Sequence, residues 1–218
     1  MTLEARKIRL IMELRRGGIV DTAVLAAIER IPRETFVPAP FQDQSYENRT
    51  LPIGCGQTLS QPGVVALMTQ ALRPNRLIKV LEVGTGSGYQ ASILSRLFRR
   101  VYTIERYREL LKTAESRFDQ LRISNITTRV GDGNLGWSEQ APFQRIIVTA
   151  AATDIPGKLV DQLGEDGVMV VPLARPNREQ EVVRLIRGPS GLQEEHLTTV
   201  RFVPLVRGLP RASAIKSA

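Results

Sequence analysis

The sequence predicts a single-domain α/β fold in which helices cover both faces of a doubly wound, mostly parallel sheet. From residue 77 onward, short apolar runs rich in Val, Ile and Leu alternate with segments of helical periodicity. The runs are continuously apolar, which is typical of strands that are buried on both faces of a sheet. The 218 residues, of which 42% are hydrophobic, are enough for one sizeable core.

An N-terminal helical extension precedes the predicted sheet. Periodic apolar residues and favourable caps predict helices over residues 3–16, 21–31 and 61–72. Asp21 is a good N-cap for the second helix, and Pro62 suits the first turn of the third. Several prolines after residue 31 predict an irregular loop that continues to about Gly56.

The sheet and its covering helices follow this extension. Strands are predicted over residues 77–83, 101–104, 126–130, 145–148 and 167–172, with helices over 90–98, 107–121 and 157–163. Two further strands, over 179–187 and 192–206, are expected to form an antiparallel pair around a Gly-Pro-Ser-Gly turn. The single domain, 1–218, is therefore divided into a helical and substrate-loop part (1–75), a cofactor-binding core (76–175), C-terminal strands (176–207) and a loose tail (208–218).

Residue counts and charge restrict the possible functions. Cys55 is the only cysteine and His196, in a polar stretch that we expect at the surface, is the only histidine. A cysteine-rich zinc site and an intrachain disulfide are excluded, and no metal ion is predicted. No apolar run approaches the roughly 20 residues of a membrane span, and the N-terminus does not resemble a secretory signal. We expect a cytoplasmic monomer without membrane contact. The net charge of +8 keeps nucleic acid open as a partner, although the arginines are scattered along the chain.

A glycine-rich loop at residues 84–88 follows the first predicted strand of the sheet and precedes a helix. Its G-x-G-x-G spacing differs from the dinucleotide fingerprint G-x-G-x-x-G and is common in S-adenosylmethionine methyltransferases, which bind no pyrophosphate. Glu105 ends the next strand, about 20 residues on, where a carboxylate can accept both ribose hydroxyls. Asp132 follows the third strand and suits an adenine amino group. Together they predict a Rossmann-like, class I S-adenosylmethionine methyltransferase.

The loop before the third helix carries the most specific motif, G-x-G-Q-T-x-S, over residues 54–60. Here the sequence resembles the protein-L-isoaspartate O-methyltransferase family. Further landmarks follow in the family's order: IPRETFV at 31–37, YEN at 46–48, LEVGTGSGYQ at 81–90, GDG at 131–133, IVTAAA at 147–152, IP at 155–156 and RFVPL at 201–205.

The resemblance implies an enzyme that methylates the free α-carboxylate of L-isoaspartyl, and also D-aspartyl, residues in damaged proteins and peptides, releasing S-adenosylhomocysteine. It implies that Ser60 is the active-site serine and that Ile53, Val203 and Leu205 help to hold the substrate. No role is carried over to Cys55. The motifs and the resemblance together give the expected cofactor-binding residues Gln57, Thr58, Glu82, Gly84, Thr85, Gly86, Ser87, Gly88, Glu105, Arg106, Gly131, Asp132 and Gly133. Trp137 is expected to pack beside the adenine pocket.

This chemistry agrees with the near absence of histidine. An α-carboxyl group has a pKa near 3.5, so it is ionised at neutral pH and needs no general base to attack a methyl group. Ser60 is suited to fix one carboxylate oxygen as a hydrogen-bond donor, and no neighbouring base could make it a covalent nucleophile. Its position is also compatible with the N-cap of the following helix. The resemblance implies that the methyl ester then closes to a succinimide, which hydrolyses partly to normal aspartate.

Two alternatives belong to other functional classes. A nucleic-acid methyltransferase on the same fold would place an Asp/Asn-Pro-Pro-aromatic tetrad after the fourth strand to grip a flipped base, but that position reads Val-Thr-Ala-Ala-Ala. Methylation at cytosine C5 uses a nucleophilic cysteine, commonly after proline, whereas Cys55 follows Gly54. A non-catalytic module that binds the cofactor structurally would have no need of the Ser60 motif.

Overall fold

The computed structural model describes residues 2–176 and 179–210. Its α-helices are α1 (Leu3–Arg16), α2 (Thr22–Arg30), α3 (Pro62–Ala71), α4 (Tyr89–Ser95), α5 (Arg108–Gln120) and α6 (Gly157–Asp161). Its strands are β1 (Leu51–Gly54), β2 (Gln57–Leu59), β3 (Lys79–Val83), β4 (Arg100–Glu105), β5 (Ile126–Val130), β6 (Phe143–Val148), β7 (Leu163–Leu173), β8 (Gln180–Gly188) and β9 (Gly191–Val200). Single 3₁₀ turns cover Arg33–Phe36, Ala39–Gln44, Gly133–Leu135 and Ser138–Gln140.

Within the described residues, seven strands form the main sheet in the order β5-β4-β3-β6-β7-β8-β9. Strands β3 to β7 run parallel, whereas β8 pairs antiparallel with both β7 and β9. The chain moves outward from β3 to β5 and then returns to the other side of β3 with β6. This reversal opens a crevice at the carboxyl ends of β3 and β6, where such folds bind ligands. The predicted doubly wound fold and the antiparallel C-terminal pair are confirmed.

Side chains on the two faces of the sheet belong to two hydrophobic clusters. On β3, Val80 packs into one cluster and its neighbour Leu81 into the other, as the period of a strand requires. The first cluster also contains apolar residues of α1 to α4, among them Leu14 and Val24. The second is covered by α6 through Leu159. The N-terminal helices are thus packed onto the sheet, close to its carboxyl edge.

The end of the predicted loop over 32–56 is wrong in one respect, because β1 and β2 form a short antiparallel hairpin. Only Cys55 and Gly56 connect the two strands, with φ values of 51° and 64°. Two successive positive φ values are the mark of a type I′ turn, whose twist matches that of the flanking strands. The usual sequence signal for this turn is Asn-Gly, so the Cys-Gly pair does not predict a hairpin here. The half-buried Cys55 therefore has a backbone role.

The end of the last predicted strand, over 192–206, is also wrong, because β9 ends at Val200. The next residues leave the sheet edge and meet the end of β6: the Ala151 N–H donates to the Val203 carbonyl at 2.8 Å, and the Leu205 N–H donates to the Ala151 carbonyl at 2.7 Å. Pro204 thus forms an isolated parallel bridge with Ala151 instead of extending β9. The segment 201–206 consequently crosses the carboxyl edge of the sheet.

Other boundaries differ by a few residues. Strand β7 begins at Leu163, four residues before the prediction, because polar residues at 164–166 resemble a loop. His196 is exposed on β9, as predicted. Trp137 packs against Tyr102 with ring centroids 5.5 Å apart. Of the tail predicted to be loose, residues 211–218 lie outside the described residues. Across the part of the chain that the structure describes, no helix is long and apolar enough to cross a membrane.

Candidate active site

A cavity that is open to solvent lies at the carboxyl ends of β3, β4 and β6. Its walls come from the loop after β3, the β2–α3 junction and the crossing segment 201–206. The sequence-predicted residues that line it are Gln57, Thr58, Ser60, Gly84, Thr85, Gly86, Ser87, Glu105, Arg106, Gly133, Val203 and Leu205. The predicted residues outside its lining are Ile53, Glu82, Gly88, Gly131 and Asp132. The structure thus brings most of the predicted cofactor and substrate residues to one cavity.

The glycine loop owes its shape to backbone conformations that only glycine adopts without strain. Gly84, Gly86 and Gly88 have φ values of 98°, 53° and 90°. A Cβ atom at Gly84 would lie 2.3 Å from the Thr149 hydroxyl oxygen, and that hydroxyl donates to the Gly84 carbonyl at 2.6 Å. At Gly88, a Cβ atom would lie 2.8 Å from the Phe118 ring. Gly88 therefore allows α5 to pack against the start of α4 and does not face the cavity.

Glu105 anchors the same loop from the end of β4. The carboxylate is only 5% exposed and accepts hydrogen bonds from the Gly86 N–H at 2.8 Å and the Tyr107 N–H at 3.0 Å. A carboxylate has about four acceptor positions, so two are left for other donors. Because the side chain lines the cavity, those two positions fit a pair of ribose hydroxyls. The free acceptor positions of Glu105 therefore fit the nucleoside of S-adenosylmethionine.

Glu82 lies beneath the loop, on the same face of the sheet as Glu105. It is fully buried, and its carboxyl accepts a hydrogen bond from the Thr103 hydroxyl at 2.5 Å. Thr103 is in turn 2.6 Å from the hydroxyl of Thr85 in the glycine loop. Burial raises the pKa of Glu82 to about 8, against the opposing effect of the Thr103 hydrogen bond and with a further increase from the Glu105 charge. Glu82 supports the loop through two hydroxyls and does not line the cavity.

Asp132 and Gly133 follow β5 at the same edge of the sheet, where Gly133 lines the cavity and Asp132 does not. A Cβ atom at Gly133 would lie 2.4 Å from Val83, so only glycine fits against β3. Asp132 Oδ1 accepts from the Asn134 N–H at 2.9 Å, and Oδ2 accepts from the Gly208 N–H at 2.7 Å. Burial would raise the pKa of Asp132, but these hydrogen bonds hold it below its usual value. Asp132 is thus an ionised acceptor, already bonded to the chain that follows segment 201–206.

Ser60 lies between β2 and α3, and the Arg33 guanidinium holds its carbonyl in place by a hydrogen bond of 2.7 Å. Within residues 2–176 and 179–210, no protein group forms a hydrogen bond with the Ser60 hydroxyl, which is left for a ligand. Ser60 is not the N-cap of α3: that position is Gln61, without a side-chain cap. The Asn48 side chain accepts from the Gly63 N–H at 2.8 Å instead and performs the capping role from a distant loop.

Ile53 and Gln57 help to shape the hairpin beside the glycine loop. A Cβ atom at Gly86 would lie 3.3 Å from the Ile53 side chain, which places Ile53 against the loop. The Gln57 amide donates to the Cys55 carbonyl at 3.1 Å and stabilises the tight turn.

Several lining residues were not predicted as site residues from the sequence. They are Leu59, Val65, Met68, Val83, Tyr89, Gln90, Ile104, Thr149, Ala150, Phe202, Pro204 and Val206. Val65 and Met68 belong to the apolar stripe of α3, which the sequence presents as core. Thr149 follows β6 and carries no signal of its own, although its hydroxyl binds the Gly84 carbonyl. Such roles follow from tertiary contacts and not from residue type.

Comparison with known proteins decides the family. A sequence model of protein-L-isoaspartate(D-aspartate) O-methyltransferase matches residues 5–209 of the chain. The chain belongs to this family. Membership confirms the family, the enzyme class and the methyl donor predicted from the sequence.

Curated relatives and solved structures agree with this assignment. The chain is 60% identical to the protein-L-isoaspartate O-methyltransferase of Paramagnetospirillum magneticum over 95% of this chain and 97% of the relative. It is 61% identical to that of Rhodospirillum rubrum over 98% and 99%. A solved protein-L-isoaspartate O-methyltransferase shares 28% identity at a TM-score of 0.82, covering 91% of this chain and 65% of that one. A Plasmodium falciparum structure, described as a β-aspartate methyltransferase in complex with S-adenosyl-L-homocysteine, shares the fold at a TM-score of 0.79. Its sequence is 23% identical, and the match covers 92% of this chain and 98% of that one.

Proposed function

We propose that the chain methylates the free α-carboxylate of L-isoaspartyl, and also D-aspartyl, residues in damaged proteins and peptides, with S-adenosylmethionine as methyl donor. The observation that carries this proposal is the position of Ser60 between two adjoining spaces. One is the cavity at the glycine loop, and the other is an open groove lined by Ser60, Gln61 and Arg201, among others. A donor in the first and a peptide in the second would meet at the Ser60 hydroxyl.

The residues at the nucleoside end have distinct tasks in this proposal. Glu105 accepts the ribose hydroxyls with its two remaining acceptor positions, while the Gly86 N–H keeps its carboxylate aligned. Gly133 lines the cavity at the proposed adenine end, and the preceding Asp132 is proposed as an acceptor for the amino group. Gln57 and Thr58 shape the wall towards the acceptor. S-adenosylmethionine, when bound, supplies an electrophilic methyl group on a sulfonium centre.

The acceptor carboxylate needs positioning more than activation. It is ionised at neutral pH because α-carboxyl groups have pKa values near 3.5, so no residue of the site must remove a proton. Ser60 donates a hydrogen bond to one carboxylate oxygen and leaves the other to attack the methyl group. The contribution of the chain is alignment and removal of water from the reacting atoms. Ile53, Val203 and Leu205 are proposed to help hold the reacting end of the peptide where it meets the donor: Val203 and Leu205 line the cavity, and their backbone is hydrogen-bonded to Ala151.

The carbonyl of the product methyl ester is more electrophilic than that of the carboxylate, and its methoxy group can leave. Attack by the following backbone nitrogen closes a succinimide and releases methanol, and hydrolysis of the succinimide returns partly normal aspartyl residues. Repeated cycles of methylation and hydrolysis amount to repair.

A labelling experiment tests this function. Purified protein is incubated with methyl-tritiated S-adenosylmethionine and an isoaspartyl peptide, its normal aspartyl twin, or duplex and single-stranded nucleic acid. We expect label only on the isoaspartyl peptide, and we expect base to release it, because methyl esters hydrolyse in base and N-methyl groups do not. Label that is independent of isoaspartate, or label on nucleic acid, would contradict the proposal. Binding of S-adenosylhomocysteine without any transfer would favour a non-catalytic module.

We also propose that the chain is a cytoplasmic monomer with one domain, and that nucleic acid and membranes are not partners. The lone cysteine, which cannot form an intrachain disulfide, supports a reducing compartment. Light scattering after size-exclusion chromatography should give the mass of one 24.2 kDa chain, and cell fractionation should recover the protein with cytoplasmic markers.

A further inference from the structure

Arg33 is a fully buried arginine directly behind Ser60, the serine proposed to position the acceptor carboxylate. Its Nη2 donates to the Ser60 carbonyl at 2.7 Å, and its guanidinium carbon lies 4.7 Å from the centre of the Tyr89 ring. Tyr89 begins α4 immediately after the glycine loop and lines the cavity. Arg33 therefore contacts the β2–α3 junction at Ser60 on one side and Tyr89, at the end of the glycine loop, on the other.

The charge of Arg33 has no acidic partner nearby. Among residues 2–176 and 179–210, no carboxylate lies within ion-pair distance of its guanidinium, and Nε and Nη1 have no hydrogen-bond partner. The neighbouring carboxylate, Glu34, accepts a hydrogen bond from the Tyr46 hydroxyl at 2.5 Å. Burial lowers the pKa of Arg33, but arginine keeps its proton at all ordinary pH values. Burying a charge without an acidic partner is costly, which favours a role for the charge of Arg33 in the adjoining site.

We propose that Arg33 is a positioning and specificity residue for the methyl acceptor: it fixes Ser60 relative to Tyr89, and its positive charge favours an ionised acceptor over a neutral one. The proposal rests on the function proposed above. No carboxylate of the described residues pairs with the guanidinium. The substrate brings a carboxylate to the hydroxyl of Ser60, the residue whose carbonyl Arg33 binds.

Each contact has a separate consequence. The hydrogen bond to the Ser60 carbonyl limits rotation of the backbone that carries the hydroxyl, and small displacements of such a group have large effects on rate. Packing of Arg33 on the Tyr89 ring connects Ser60 to the end of the glycine loop, so that the methyl donor and the methyl acceptor keep a constant separation. The unpaired charge lies in the protein interior behind Ser60, where the effective dielectric constant is lower than that of water, so it stabilises a nearby anion more than an exposed charge would. It does not stabilise a neutral ligand of the same shape.

The charge is tested by comparing two ligands that differ in one group. They are an isoaspartyl peptide and its α-carboxamide twin, and calorimetry measures their binding to protein saturated with S-adenosylhomocysteine. The variants are Arg33→Met, Arg33→Lys and, as a control for the loss of a charge at the surface, Arg30→Met at the exposed end of α2. We expect Arg33→Met to lose about tenfold of the preference for the carboxylate, as the loss of one nearby charge implies. Arg33→Lys and Arg30→Met should keep that preference.

The positioning role is tested by turnover. Lysine lacks the planar fork that reaches the Ser60 carbonyl and stacks on Tyr89, so Arg33→Lys should lower kcat about tenfold or more while the affinity for S-adenosylhomocysteine stays within about threefold. Arg30→Met should keep the kcat of the unmodified protein. A residue with a merely structural role would lower stability and leave the ligand preference and the kcat of the folded fraction unchanged.

The outcomes separate the two proposals. If the unmodified protein methylates isoaspartyl peptides but Arg33→Met keeps the full carboxylate preference, the charge role is wrong. If Arg33→Lys turns over at the unmodified rate, the positioning role is wrong. Should Arg33→Met fail to fold, Arg33→Lys still decides both points, because a lysine that lost the preference would contradict the role of charge. No methylation by the unmodified protein would refute the proposed function itself.

Discussion

The fully buried Glu82 predicts that the stability of the protein falls as the pH rises through neutrality. In the folded state its pKa is raised by burial from 4.5 to about 8, whereas in the unfolded chain it titrates near 4.5. Between these values the folded state binds a proton that the unfolded state releases. The contribution to stability is therefore complete below about pH 4.5, declines as the pH rises, and is lost above about pH 8.

The size of this effect follows from the same pKa values. The interval from 4.5 to about 8, at about 1.36 kcal/mol for each pH unit, corresponds to about 5 kcal/mol. That is a large fraction of the roughly 5–15 kcal/mol by which most domains are stable. Glu82→Gln removes the titration and keeps an acceptor for the Thr103 hydroxyl. Between about pH 5.5 and 8 the unmodified protein should lose about 3 kcal/mol relative to Glu82→Gln.

Urea unfolding measures this difference. The fluorescence of Trp137, the only tryptophan, reports the transition, and the free energy of unfolding is determined at several pH values between about 5.5 and 8.5. Glu29→Gln, a change at an exposed carboxylate of α2, should follow the unmodified protein and controls for the loss of a charge. Parallel curves for Glu82→Gln and the unmodified protein would refute the reasoning, because they would mean that Glu82 titrates alike in both states.

Three further predictions concern the site. Ser60→Ala should lower kcat about hundredfold, the usual cost of one positioned donor, while calorimetry shows little change in S-adenosylhomocysteine affinity; an unchanged kcat would remove Ser60 from the mechanism. Glu105→Gln should weaken the same affinity about tenfold, because its hydrogen bonds lose the assistance of a charge. Gly88→Ala should lower the melting temperature by several degrees more than Gly54→Ala, since both have positive φ but only the new Cβ at Gly88 would meet a ring.

The sequence was sufficient where chemistry depends on backbone geometry. Positive φ at Gly84 and Gly86 leaves few alternatives to glycine, so the strand–loop–helix pattern predicted both the fold and the cofactor site. It was insufficient where a role comes from tertiary contact. Arg33 follows a proline and precedes Glu34, a context that normally means exposure, and only the packing of the N-terminal segment on α4 buries it. The crossing of segment 201–206 likewise depends on Ala151, which is distant in sequence.

Glu82 and Glu105 show why register lies beyond such a prediction. Both are acidic residues near the ends of adjacent strands, and the sequence predicts the same cofactor-binding role for each. In the structure, Glu82 pairs with Thr103, two residues before Glu105, and residues two apart on a strand share a face. Glu105 lies at the end of its strand, so its carboxylate reaches the cavity and accepts hydrogen bonds from backbone N–H groups. Glu82 lies two residues further from the cavity on the same face, and its carboxyl accepts a hydrogen bond from the Thr103 hydroxyl. A displacement of two residues along paired strands thus separates a carboxylate that lines the cavity from a buried carboxyl that keeps its proton at neutral pH.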